Sequence, residues 1–377
     1  MASQAELSAL HKHPCPECGG DAEWNAAKQA LTCPYCGTLV DSDIPALEGT
    51  DANAATVEIL EYDLEHALSS GLGQAAAVVG GESRSVRCES CFAISSFDAT
   101  RTAQRCDFCG SPAIVAHEPS QELIRPESLL PATVPETEVR DSLKKWYASR
   151  WFAPNKLKTS ALTDTLHGIY LPYWTFDARS EADWTAESGY YYYVTESVRG
   201  ADGKTSVRQV RKTRWEDSAG SLAHHFDDDL VPGTVGVHVS LLRKVEPFPT
   251  TDKLRPYDPA FVRGWTVERY QVDLQQSEHI NRTQMDATLR NLCAAAVPGD
   301  THRNLQVYTR HYDRTFKHIL VPVWLISYTY GKKSFQVVAN GYTGKIAGEY
   351  PLSWIKITFA VCAALVLLYF LYMSQAR

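Results

Sequence analysis

Four Cys-x-x-Cys pairs limit what this chain can fold into more than any other feature of its sequence. Cys15 and Cys18 are followed by fourteen residues and then Cys33 and Cys36, and the same spacing separates Cys88 and Cys91 from Cys106 and Cys109. Two such turns deliver four thiolates to one tetrahedral ion and leave no open position for water or substrate. The expectation is two structural Zn2+ ions, ahead of iron in a rubredoxin-like centre, each clamping a ribbon too small to have a core of its own. Gly19, Gly37 and Gly110 follow ligand pairs, where a knuckle folds the backbone under the metal. Trp24 and Phe97 share an offset of six residues past the second cysteine, as expected of one aromatic packing on each ribbon. His11 and His13 lie near the first set, which four thiols already complete. Of the ten cysteines only Cys293 and Cys362 remain, a distribution that favours metal over disulfides.

A second constraint sits at the other end. Residues 357 to 373 form an uncharged apolar run of seventeen, which Trp354 and a snorkelling Lys356 extend. At about 1.5 Å per residue the segment 354 to 373 matches a hydrocarbon core of roughly 30 Å. Trp354, Tyr369 and Tyr372 suit interfacial aromatic belts. Lys332, Lys333, Lys345 and Lys356 precede the run and Arg377 alone follows it, which predicts a single-pass cell-membrane protein with its bulk in the cytoplasm and its C-terminal tail outside. With four residues beyond the run, insertion is expected to be post-translational, and no signal peptide is visible at the N-terminus.

Between these features the periodicity predicts an α+β fold: two small four-cysteine zinc ribbons, a mostly antiparallel β domain with a few helices, and one C-terminal transmembrane helix. The expected divisions are ribbon 1 at 11–41, a linker with a short helix at 42–83, ribbon 2 at 84–118, a helical connector at 119–165, the β-rich domain at 166–350 and the membrane helix at 354–373. In the linker Val57, Leu60, Leu64, Ala67 and Leu68 recur at helical spacing before Gly71 and Gly73. Val139, Leu143, Trp146, Tyr147 and Arg150 share one face of a helix predicted over 136–151. Strands are predicted at 167–177, 189–198, 206–215 and 235–245, with a hairpin turn at Arg199 to Lys204. A helix over 277–297 would bury Met285, Leu289, Leu292 and Ala296, followed by strands at 318–330 and 334–339 and a turn at Asn340-Gly341. YLPYW (170–174) and LVPVW (320–324) resemble each other and suggest two related β units.

The formal charge of -7 gives no global pull toward nucleic acid, and only Lys28 in the first ribbon and Arg101 and Arg105 in the second lie between ligand pairs. A membrane-tethered nucleic-acid-binding ribbon protein is therefore the weaker alternative. GADGKT (200–205) lacks the glycine spacing of a phosphate loop and reads as a polar hairpin. His224, His225, Asp227, Asp228 and Asp229 offer a candidate metal-binding or proton-sharing group and the one place for an enzymatic rival, but neighbours on an extended chain point to opposite faces, so the run reads as a solvated loop. Arg199, Lys204, Arg208, Arg211, Lys212 and Arg214 cluster on one hairpin that either contacts lipid or nucleic acid or is simply solvated. No nucleophile elbow, dinucleotide fingerprint or zinc-protease helix is present, so no catalytic residue is assigned and a non-enzymatic role is expected.

The two ribbons, YDLEHAL (62–68), KKWYASRWFAP (144–154), GIYLPYWTFDA (168–178), HHFDDDLVP (224–232) and TFKHILVPVWLISYTYGKKSFQVVANGYTGKIAGEYP (315–351) together resemble bacterial zinc-ribbon membrane proteins of the YdjG type. The resemblance implies an adaptor or scaffold that binds a cytosolic partner of the phage-shock-protein-A (PspA) type, an ESCRT-III-like membrane-remodelling protein, at stressed membrane. Members with more than one C-terminal membrane helix imply a membrane-embedded partner subunit for a chain with one.

Overall fold

The computed structural model describes residues 14–40, 59–70, 84–97, 105–117, 124–154, 166–199, 205–330 and 333–375. His11, His13, Val57, Gly71, Gly73, Arg101, the turn at 200–204, Lys332 and Arg377 lie outside them. The architecture is α+β, with a mostly antiparallel sheet, two four-cysteine clusters and one C-terminal apolar helix.

Short strands come first: β1 (Glu23–Asn25), β2 (Ala30–Thr32), β3 (Tyr62–Asp63), β4 (Arg84–Cys88), β5 (Ile94–Phe97), β6 (Ile114–Ala116) and β7 (Ser128–Leu129). Then β8 (Leu166–Arg199) and β9 (Thr205–Pro232) run for 34 and 28 residues. After β10 (Arg255–Pro256) and β11 (Thr266–Arg269), β12 (Thr301–Tyr330) runs for 30 residues, and β13 (Lys333–Asn340) and β14 (Ile346–Gly348) close the series. β8 lies between β9 and β12, antiparallel to both. Pro172 faces Leu320 and Pro322 faces Tyr170, so YLPYW and LVPVW pair with each other.

The strands predicted at 167–177 and 189–198 are thus one continuous strand. Its inner half is apolar on both faces, with Tyr170, Leu171, Tyr173 and Trp174 all buried. Beyond Asp177 the pattern becomes strict alternation. Ala178, Ser180, Ala182, Trp184, Ala186 and Ser188 are buried, while Arg179, Glu181 and Thr185 are exposed. These small side chains admit a helix close to the sheet. Helix α4 (Leu274–Ala296) follows α1 (Leu64–Ser70), α2 (Glu136–Ala148) and α3 (Val239–Val245), and presents Met285, Leu289 and Cys293 to Ala182, Trp184 and Phe226. The predicted face is corrected here: Leu292 and Ala296 are exposed, and Cys293 completes a stripe at 277, 281, 285, 289 and 293. The strand predicted at 235–245 is also corrected, because α3 occupies its second half. Leu241, Leu242 and Val245 lie on one helical face that fills the core, and the Asn340 side chain donates to the Val245 carbonyl at 3.0 Å.

The loop reading of 224–229 is overturned. These residues belong to β9, paired with β8 around an irregularity between Phe176 and Ala178 where Asp228 takes φ 53°. Asp228 is buried and meets the Lys317 ammonium at 2.8 Å, and Lys317 also reaches Glu61 at 2.9 Å. The Asp228 amide donates to Asp177 at 2.6 Å, and the Thr315 hydroxyl bridges Glu61 and Asp177. Burial raises the Asp177 carboxyl to about 6. Burial alone would lower the Lys317 ammonium, yet Asp228 and Glu61 hold it above its ordinary value. The group ties the segment before α1 to three strands.

α2 buries Val139, Leu143 and Tyr147 as its periodicity predicts. Helix α5 (Trp354–Gln375) has a mean hydropathy of 2.2 and none of its apolar window is buried. At about 1.5 Å per residue, its length suits a hydrocarbon core of roughly 30 Å. The Lys356 ammonium reaches back from the first turn of the helix and donates to the carbonyls of Trp151 at 3.0 Å and Ala153 at 2.8 Å.

Removing the cation from the buried group leaves Asp228 without a counter-charge. Lys317→Met is expected to cost about 3–5 kcal/mol, read as a lowered urea midpoint for the soluble portion of the fold.

Candidate metal centres and their surroundings

Each cysteine pair sits on the same turn. The amide of the residue after the second cysteine donates to the carbonyl of the first: Gly19 to Cys15, Gly37 to Cys33, Phe92 to Cys88 and Gly110 to Cys106, all at 2.8 to 2.9 Å. That residue takes a left-handed φ in every case, 72° at Gly19, 76° at Gly37, 71° at Gly110 and 63° at Phe92. Three of the four positions carry the glycine that the sequence marks. Phe92 has no such marker; its ring lies under the Arg87 guanidinium at 5.4 Å, and its conformation costs a non-glycine residue about 1–2 kcal/mol.

In both sets the first thiol meets the fourth and the second meets the third. The Sγ distances are 3.4 Å for Cys15–Cys36 and Cys18–Cys33, 3.5 Å for Cys88–Cys109 and 3.6 Å for Cys91–Cys106. All four sulfurs of each set lie within 4.8 Å of one another. Sulfurs about 2.3 Å from a tetrahedral Zn2+ would stand about 3.8 Å apart, so a small adjustment separates these clusters from a loaded site. The electrostatics fit the same conclusion. A hydrogen bond from the Cys91 thiol lowers Cys106 to about 5, while Cys91 itself is pushed up; Thr38 lowers Cys36 to about 6, and burial raises Cys109 to about 12. Packed thiols let one member ionise and make its neighbours resist, a conflict that a dication removes. Both groups can hold a metal ion, consistent with two zinc sites.

The two centres differ in setting. The first is half open, with Cys15 and Cys33 buried and Cys18 and Cys36 exposed. Trp24 joins its strands to the main body, packing on Phe261 at 4.7 Å and donating to the Ala132 carbonyl at 3.2 Å. An open cleft along this seam is lined by Trp24, Trp265, Trp324 and His167. The Phe97 side chain lies outside the described residues.

The second centre is built into the main sheet. β4 pairs with both β5 and β6, and β5 pairs with β11, which pairs with β8. Phe108, inside the last knuckle, is fully buried, and its carbonyl accepts from Ser327 and from Gln336. Asp107 accepts from the Thr266 hydroxyl at 2.6 Å. On β11, Glu268 is buried with neither carboxyl oxygen in a well-formed hydrogen bond, so burial raises it to about 8 against the weaker opposing pull of Thr234 and Gln271.

A serine, a histidine and an aspartate also meet on the sheet beneath α4. Ser180 Oγ lies 2.7 Å from His311 Nδ1, and His311 Nε2 lies 3.0 Å from Asp286. The three come from separate elements, so no linear motif announces them. Ser180 is buried on the sheet face that α4 covers, and the bonds fasten α4 to β8 and β12. Among the described residues, His224 to Asp229 form no convergent metal-binding group.

The uncharacterised protein YdjG of Bacillus subtilis is 23% identical to this chain over 258 residues, covering 65% of this chain and 69% of its own length. No family model matches the sequence. No solved structure matches it.

Two measurements bear on these centres. The purified protein is expected to carry two metal ions per chain, and either Cys33→Ser with Cys36→Ser or Cys106→Ser with Cys109→Ser should leave one, counted by plasma mass spectrometry. The second pair should lower the urea midpoint of the β domain more than the first, because Cys88, Cys106 and Phe108 belong to its largest core cluster. Glu268 gives a pH signature of definite sign. With its folded value raised from 4.5 to about 8, the native state holds a proton that the unfolded chain releases, so its contribution to stability falls as pH rises across that window. Glu268→Gln should remove this slope, making the variant more stable relative to wild type at pH 8 than at pH 5.

Proposed function

We propose that this chain is a non-enzymatic membrane scaffold, held in the bilayer by α5, clamped by two structural Zn2+ ions, and presenting an extended arm to a protein partner in the cytosol. The arm carries the reading. Past Gly189, β8 and β9 continue without the third strand, pairing 190–199 with 205–214 for about 30 Å. Tyr191, Tyr192, Tyr193 and Val207 are exposed there. Arg211 stacks over Tyr191 at 4.2 Å, Arg214 lies over Tyr190 at 5.7 Å, and Arg303 over Trp215 at 4.2 Å. Tyrosine and arginine are the residues that interfaces favour, and a basic tip on a chain of net charge -7 suits an acidic partner.

The resemblance to YdjG-type proteins supports a PspA-type, ESCRT-III-like partner for that arm. Lys333, Lys345 and Lys356, on the N-terminal side of α5, support a cytoplasmic location for the bulk of the chain. One exposed apolar helix also suits pairing with a membrane-embedded subunit.

Charge reversal of the arm tests the reading. Arg208→Glu, Arg211→Glu and Arg214→Glu together are expected to reduce co-purification of the PspA-type protein from solubilised native membranes by at least about tenfold, since lost charge complementarity costs more than one decade. Metal content should stay unchanged. Full capture by the variant would reject the arm as the docking element, and salt-dependent retention of labelled RNA or DNA by the wild type would favour a tethered nucleic-acid-binding role instead.

A further inference from the structure

The root of α5 is joined to the soluble body by more than the chain leading into it. The Lys356 ammonium, in the first helical turn, donates to the Trp151 and Ala153 carbonyls, and the Ser353 amide donates to the Phe152 carbonyl at 2.8 Å. Ala153 is fully buried, so the turn that follows α2 is anchored in the body on one side and bonded to α5 on the other. Two pairs of large apolar side chains, some 200 residues apart in sequence, are thereby brought to one level. Trp151 is 73% exposed, Phe152 39%, Trp354 79% and Ile355 84%.

We propose that Trp151 and Phe152 are a membrane-interfacial shelf, inserted at the boundary between headgroups and acyl chains of the same bilayer that α5 enters. The inference rests on reading α5 as membrane-spanning and adds a second, non-spanning contact. Continuity selects the occupant. Trp354 and Ile355 belong to the first turn of the apolar helix, and the hydrogen bonds hold Trp151 beside that turn, so a bilayer receiving the helix also reaches the Trp151 ring. An indole gains most at that depth, with an apolar face toward the chains and an N–H toward water. Lys145, exposed on α2 shortly before the shelf, adds basic charge near it, whereas Lys144 is paired with Asp141 at 3.0 Å.

The test uses the full chain in phosphatidylcholine and phosphatidylglycerol vesicles whose acyl chains are brominated near the headgroup, a probe that quenches only tryptophans in contact with them. Wild type, Trp151→Phe and Trp354→Phe are compared. Each substitution is expected to remove a comparable share of the quenched emission, and in a Lys356→Met background Trp151→Phe should no longer make a difference while Trp354→Phe still does. If Trp354→Phe lowers the quenched emission and Trp151→Phe does not, the shelf is wrong and the anchor stands. If neither changes it, the anchor reading fails and the shelf fails with it. A persisting effect of Trp151→Phe in the Lys356→Met background would overturn the lysine's part in holding the shelf.

Discussion

Proline in a central strand removes a donor from the ladder, and here it happens on both sides of one pairing. Pro172 and Pro322 sit in β8 and β12, offset by two residues across the register. Each carbonyl accepts from a glycine amide at the end of the neighbouring strand, Gly233 at 2.8 Å and Gly341 at 2.9 Å. The missing donors therefore coincide with places where the sheet's outer strands turn away, and the pairing survives. Everything else is laid against it: β7 beside β12, β11 beside β8, and the two four-cysteine clusters at the margins of the core these strands enclose.

The clusters then play unequal parts. The second places Phe108 among Leu171, Val321 and Leu325, so a metal ion held there would be coupled to packing in the main core. The first packs Trp24 and Leu31, with the small Ala22 and Ala26, on Phe261, Leu129 and Tyr170 at the side of the body.

What the sequence made legible was chemistry with local spacing. The thiol sets, the glycine knuckles and the buried face of α2 all depend on residues within a few turns of one another. The long strand β8 was not legible as one element because Ala178, Ser180, Ala182 and Ala186 are poor strand formers by intrinsic preference; their value lies in letting α4 approach, a tertiary effect. Val235, Val237 and Val239 alternate like a strand, yet the core takes Leu241, Leu242 and Val245 at helical spacing, and the partner closing that helix, Asn340, is about a hundred residues away. The ion group of Glu61, Asp177, Asp228 and Lys317 draws on four distant segments. In a linear reading Asp228 is only one of a run of three aspartates.

The bonds from Lys356 turn a tether into a hinge with little play, and the length of β8 then acts as a lever. From Leu166 to Arg199 the strand extends on the order of 100 Å at the usual rise per residue. If the body follows α5, tilting the helix by about 10° sweeps the far end through about 17 Å, several inter-strand spacings. Bilayer thinning or curvature changes helix tilt by such angles. The mechanical state of a membrane would then be expressed as a displacement far from it, with no conformational change in the protein itself.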